Sequence, residues 1–199
     1  MKVRLIPGNG YYANAYLAGS VLIDAGVTPV SIEPYRNQIA HIVLTHSHYD
    51  HIAYLHHLAE YTGADVYIHS LDASGLTSDR DSLSMQFGAH APGIQADHLL
   101  AEGDTIDRWT ILHTPGHTMG SICLYDPETK TLISGDTVFS DGAFGRYDFP
   151  GGSRNMLEES LLRLHEMEVE GLYPGHGLPV DSGGSRHINA ALQMIRMYG

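Results

Sequence analysis

The six residues His46-Ser47-His48-Tyr49-Asp50-His51 put three imidazoles and a carboxylate on one short stretch of a 199-residue chain that carries 14 histidines. A single histidine beside glycine is most often a solvated loop residue or a satisfied core group. The whole set changes that reading. His117 follows Thr114-Pro115-Gly116, Asp136 follows Ser134-Gly135, and His176 follows Tyr173-Pro174-Gly175, each where an apolar run turns on glycine. Glycine lets the backbone turn tightly and bring the next side chain inward. Five imidazoles and two carboxylates suit two borderline metal ions, because imidazole favours Zn, Fe, Ni or Cu and a carboxylate can span a pair of them.

Such ligands need strands behind them, since loops at the ends of core strands are where rigid scaffolds present functional groups. Short β-type runs at 3–6, 12–17 and 21–24 read as an opening meander, stopped by Ala25-Gly26. Residues 42–45 form a continuous apolar run, the pattern of a strand covered on both faces, and lead into the histidine cluster. Ile52, Leu55 and Ala59 then recur at helical spacing as far as Gly63, and 66–68 is again strand-like. This β–α–β order predicts a partly parallel sheet. Residues 70–92, interrupted by Gly75, Gly88 and Pro92, are expected to form a helix plus a loop. Strands are expected at 109–113, 121–125 and 131–134. Ser153 is placed to cap a helix with Leu157, Leu161 and Leu164 on one face, and a closing helix carries Ile188, Leu192 and Ile195.

The formal charge of −12 repels phosphate backbones, and no Lys/Arg stripe is present, which excludes a nucleic-acid substrate. No run of eighteen apolar residues occurs, and the N-terminal apolar stretch breaks at Pro7-Gly8, so neither a membrane span nor a signal peptide is expected. One cysteine, Cys123, permits no internal disulfide. The expectation is a single cytoplasmic domain over 1–199, monomeric or homodimeric, acting on a small molecule.

The string from His46 to His51, with His117, Asp136 and His176 in that order, resembles the metallo-β-lactamase-fold hydrolases over nearly the whole chain. The resemblance implies an αβ/βα sandwich of two mixed β-sheets with flanking helices. It also implies that His46, His48 and His117 hold one metal, that Asp50, His51 and His176 hold a second, and that Asp136 bridges them. Two divalent ions are implied, zinc first, with iron or manganese as alternatives. A water between them loses a proton near neutral pH and attacks a carbonyl, and Asp50 is placed to take up or deliver a proton near the leaving group. An acid at position 136 differs from the Cys or Ser common in true β-lactamases, and His48 differs from the glutamate of flavodiiron proteins. The segment from Phe144 to Gly152 resembles the G-R-x-D-x-P-x-G element of the short glyoxalase II-like (hydroxyacylglutathione hydrolase-like) branch, which lacks the C-terminal helical extension of the long enzymes.

A small thioester or ester is therefore the expected substrate, with a lactone as a further alternative. A different class, a persulfide dioxygenase with one iron on His46, His117 and Asp136, shares the ligand string. Arg146 and Tyr147 are candidate substrate-binding residues; for Arg146, internal pairing with Asp148 competes with a substrate carboxylate. Asp24 is either a carboxylate behind a ligand histidine or a plain turn residue, and the turn is preferred. His56, His57, His69 and His113 are excluded from the site. Cys123 is expected to be a small buried hydrophobe, and Met156, Met167, Met194 and Met197 core filler.

Overall fold

The computed structural model describes residues 3–197; Met1, Lys2, Tyr198 and Gly199 of the expected domain lie outside the described residues. The chain divides into two compact units at the Leu100–Ala101 junction.

The first unit is built on a six-stranded sheet of β1 (Arg4–Ile6), β2 (Ala15–Ala18), β3 (Val21–Ile23), β4 (His41–Val43), β5 (Asp65–His69) and β6 (His98–Leu100), in sequence order. The first three strands pair antiparallel and the last four parallel, so the sheet is mixed. Every residue of β2 and β3 is buried, as strands covered on both faces must be apolar throughout. After β3 comes α1 (Pro29–Ile32), and β4 is followed by α2 (Tyr49–Ile52) and α3 (Leu55–Thr62), which ends at Gly63 in the left-handed region, φ 71°.

The single helix expected from Ile52, Leu55 and Ala59 is thus two. The backbone hydrogen bonds show why. The carbonyl of His51 accepts from Ala25 N (2.7 Å), that of Asp50 accepts from Ala13 N (3.1 Å), and Tyr54 N donates to Ala25 O (3.0 Å). Groups that would continue the helix are spent on tying the motif turn to two loops. Residues 70–92 also depart from expectation, holding 3-10 turns at Ala73–Leu76 and Ser84–Phe87 in place of an α-helix. There Ser82 Oγ donates to Ser78 O (2.8 Å) and Ser84 Oγ to Asp79 Oδ1 (3.1 Å), local bonds that compete with a helical ladder.

The second unit carries β7 (Thr105–Ile106), β8 (Trp109–His113), β9 (Ile122–Asp126), β10 (Thr131–Gly135) and β11 (Gly171–Pro174), in the order β11-β10-β9-β8-β7. β10 and β11 are parallel and the other pairs antiparallel, so this sheet is mixed too. Between β10 and β11 lies α4 (Arg154–His165), capped by Ser153, whose Oγ accepts from Met156 N at 3.4 Å. α5 (Gly184–Met197) closes the chain. The predicted apolar faces, Leu157-Leu161-Leu164 and Ile188-Leu192-Ile195, bury against Leu112, Cys123, Leu132 and Leu172. Two of the four methionines are not core filler: Met194 is 37% and Met197 75% exposed, because both lie off the α5 stripe that meets the sheet. Among the described residues, no helix is long and apolar enough to cross a membrane.

Candidate metal centre

In the first unit the parallel strand β4 delivers the motif. His46 and His48 follow it on an extended segment, and Asp50 and His51 ride on α2. All three imidazoles are buried, with ring centroids 4.8 Å apart for His46 and His48 and 4.0 Å for His46 and His51. Asp24 accounts for the placement of His51, whose Nδ1 donates to Asp24 Oδ2 at 2.8 Å. The same buried carboxylate accepts from Thr45 N (2.8 Å) and the Thr45 hydroxyl (2.8 Å), fixing the residue before His46. Asp24 itself has φ 63°, a left-handed conformation that Asp tolerates better than most residues. The preferred reading of Asp24 as a plain turn residue is therefore corrected: the turn serves to aim its carboxylate at His51. Asp72 braces the motif from the other side, accepting from Ser47 N at 3.0 Å. Gly75 packs so closely that an added Cβ would lie 2.3 Å from Ser47 Oγ.

In the second unit His117 follows β8, Asp136 follows β10 and His176 follows β11. Gly116 adopts φ 133°, and a Cβ there would meet Leu157 N at 2.2 Å, so the turn into His117 lies directly on the start of α4. His117 Nδ1 donates to Arg146 O at 2.6 Å, which turns Nε2 the other way. Asp136 Oδ2 lies 3.7 Å from His117 Nε2 and 3.6 Å from His176 Nε2. Gly145 permits this arrangement, since its Cβ would sit 2.1 Å from Asp136 O and 2.8 Å from His117 Nδ1.

The remaining sequence candidates behave differently. Arg146 is exposed and holds Asp148 through two bonds, Nε to Oδ1 at 2.9 Å and Nη2 to Oδ2 at 2.7 Å, while stacking over Phe149 at 4.1 Å. The pairing with Asp148 raises the guanidinium pKa and lowers that of the carboxyl. Tyr147 stacks on Phe144, centroids 6.3 Å apart, and packs against the helical core of its unit. Of the excluded histidines, His56 and His57 are exposed on α3, and His113 Nε2 donates to Met119 O at 2.9 Å. Cys123 is fully buried, which pushes its thiol up to about 11. Asp72 supports the site without having been singled out in sequence. Asp72 lies in the segment with no clear periodicity, whereas Gly145 is the first glycine of the G-R-x-D-x-P-x-G element and its tight packing beside Asp136 and His117 fits that place.

These separations fit metal ligands. Two donor atoms each about 2.1 Å from one tetrahedral ion stand roughly 3.4 Å apart. The Nε2-to-Oδ2 distances of 3.7 and 3.6 Å around Asp136, and 3.8 Å between His51 and Asp50, exceed hydrogen-bond length and sit near that value. A carboxylate behind His51 and a carbonyl behind His117 are the partners that metal-bound imidazoles use to fix ring orientation. The His and Asp side chains grouped as candidates for holding a metal ion, among the described residues, are His46, His48, Asp50, His51, His117, Asp136 and His176.

The model of the metallo-beta-lactamase superfamily matches residues 8–176. The chain belongs to that superfamily. The probable metallo-hydrolase YqgX of Bacillus subtilis (strain 168) is 33% identical over 199 residues, covering 91% of this chain and 92% of the relative. Among solved structures, a di-iron-bound form of TTHA1623 is 31% identical with a TM-score of 0.79, covering 90% of this chain and 94% of that one. The BLEG-1 B3 metallo-beta-lactamase is 28% identical with a TM-score of 0.81, covering 90% and 93%. The fold is accordingly the metallo-β-lactamase fold, and the chain is a metal-dependent hydrolase-like protein of that superfamily.

Proposed function

We propose that the protein is a glyoxalase II-like hydrolase of small thioesters or esters, with His46, His48 and His117 holding one divalent ion, Asp50, His51 and His176 a second, and Asp136 serving both. The observation that carries this reading is the position of Asp136 Oδ2, nearly equidistant from His117 and His176 at 3.7 and 3.6 Å. One carboxylate oxygen facing two imidazoles assigned to different ions is what a bridging ligand requires. Bound there, a pair of divalent ions would supply a water ionised near neutral pH and a Lewis acid for the substrate carbonyl oxygen. Zinc is the first choice, and the di-iron-bound relative supports iron as the next.

The chain's own residues do the rest. Asp24 and the Arg146 carbonyl hold His51 and His117 in one ring orientation, so the donor set is organised before substrate arrives. Asp50, part-exposed beside His51, is the carboxylate positioned to pass a proton to the departing thiolate or alkoxide, giving an acid and a thiol or alcohol. The substrate is a small molecule, and the enzyme acts in the cytoplasm as a monomer or homodimer.

The test is metal content per chain on protein purified without chelator or added metal, followed by a panel of thioesters, esters and lactones. Two metals per chain with turnover that His48→Ala abolishes is the expected result. One iron per chain, with oxygen uptake driven by glutathione persulfide and no hydrolysis, would overturn it in favour of the dioxygenase.

A further inference from the structure

Four aromatic rings in the first unit form a continuous track that starts inside the metal-ligand string. Tyr49 stands between His48 and Asp50, and its ring lies 5.4 Å from Phe87. Phe87 stacks on Tyr12 at 6.2 Å with planes 22° apart, and Tyr12 meets Tyr54 edge-on at 5.6 Å. Beyond them Tyr12 and Tyr54 form the aromatic walls of a cleft of about 140 Å³ that also touches Pro7, Gly26 and Val27 and carries Asn9, Thr28 and Ser31 as polar lining. Gly26 backs directly onto the motif turn, since a Cβ on it would lie 2.4 Å from Asp50 O. The cleft at the far end of the track thus shares Gly26 with the turn that carries Asp50.

The loop that presents Phe87 is held firmly. Its Ser82 carbonyl accepts from Tyr49 N at 2.7 Å, and Ser82 and Ser84 are fully buried. Leu83 adopts φ 58°, a conformation strained for a branched side chain, and Gly88 ends the turn at φ 66°. Strain of this kind persists where the surroundings impose it, and it gathers at ligand clamps. Despite that bracing Phe87 remains 38% exposed. The hydroxyls of Tyr12, Tyr49 and Tyr54 make no hydrogen bond to the protein among the described residues, which leaves them to solvent or a ligand.

We propose that this track is the acyl-binding surface, and that it selects a neutral ester or thioester whose acyl group carries an aromatic ring. The size of the cleft, about 140 Å³, admits one ring and no more, close to the roughly 150 Å³ of a cavity that takes up benzene. Aromatic faces favour an aromatic guest through offset and edge-on contacts. Charge decides for neutrality, because a chain at −12 disfavours a polyanionic acyl carrier. This use of the track rests on the hydrolase reading.

The experiment compares phenylacetyl and acetyl thioesters of N-acetylcysteamine on the metal-replete full chain. Wild type is expected to prefer the phenylacetyl substrate, and the ratio of the two kcat/KM values is expected to fall about fivefold in Phe87→Ala, the scale of one aromatic pair. Phe87→Tyr, which keeps the ring, restores the ratio. A ratio unchanged in Phe87→Ala overturns the assignment. If wild type cleaves neither thioester, the hydrolase reading fails, and titration with phenylacetamide decides the track separately. Saturable binding weakened by Phe87→Ala supports it; no saturable binding overturns it.

Discussion

Asp24 shows how much of a candidate metal site lies behind its candidate ligands. Its carboxylate serves His51 and Thr45 together, so one side chain sets a ring orientation and the entry to His46. Asp24→Asn keeps shape and tolerates the left-handed backbone, but offers His51 an amide in place of a carboxylate. Loss of such a partner typically weakens metal affinity by about 10–100-fold, and competition against a chromophoric chelator is expected to show this with the circular dichroism unchanged. Equal affinities would mean His51 is held by packing alone. Cys123 gives a second prediction at this scale. Burial raises the thiol to about 11, so iodoacetamide at pH 8 leaves it unlabelled in the native protein and labels it fully in urea. Sequence singled out the seven candidate ligands because their residue types are chemically rare, cluster in one short string and, for His117, Asp136 and His176, follow a glycine turn. It left Asp24 ambiguous and Asp72 unseen because a carboxylate that bonds a backbone N–H carries no periodicity or motif. Arg146 illustrates the converse: its sequence reads equally as an anion clamp or as a partner for Asp148, and Asp148 occupies the fork.

At the scale of elements, the two β–α–β passages do much of the positioning, because the parallel strands β4, β10 and β11 each end where a candidate ligand loop begins. The α4 passage depends on its first turn, where Ser153 Oγ satisfies Met156 N and Gly116 packs on Leu157 N. Ser153→Ala removes that cap and is expected to cost about 1 kcal/mol, lowering the midpoint of thermal unfolding by roughly 2–4 °C at this chain length. Ser153→Asp, which can still accept the bond, should hold the wild-type midpoint in the same scan. The apolar stripes of α4 and α5 were legible since a 3.6-residue period survives any loop arrangement. Two features were not. The break between α2 and α3 arises from carbonyls taken by Ala13 and Ala25, distant in sequence, and the 3-10 turns of 70–92 arise from serine and aspartate side chains bonding locally. Periodicity reports burial, and neither event is a matter of burial.

For the whole molecule the dominant fact is an excess of acid, which makes the response to pH a test of where carboxylates are held. Lowering the pH relieves general repulsion in a chain of charge −12 while removing the contribution of any carboxylate that the fold has stabilised. Asp126 is such a group. Burial alone would raise its pKa, but the Thr129 hydroxyl, the Glu128 N–H and the Arg108 guanidinium reverse that and hold the carboxyl below its ordinary value. Because the unfolded chain then binds the proton more readily than the folded one, the stabilisation is complete above the unfolded value near 4 and is lost as pH falls through the lower folded value. Wild type alone cannot show this, since metal loss from imidazoles and relief of repulsion act over neighbouring ranges. The difference between wild type and Asp126→Asn cancels both. Urea midpoints for the pair are expected to differ most at pH 6–7 and to converge as pH drops below about 4. A gap that stays constant to pH 3 would mean that the Asp126 hydrogen bonds, not its charge, supply the stabilisation.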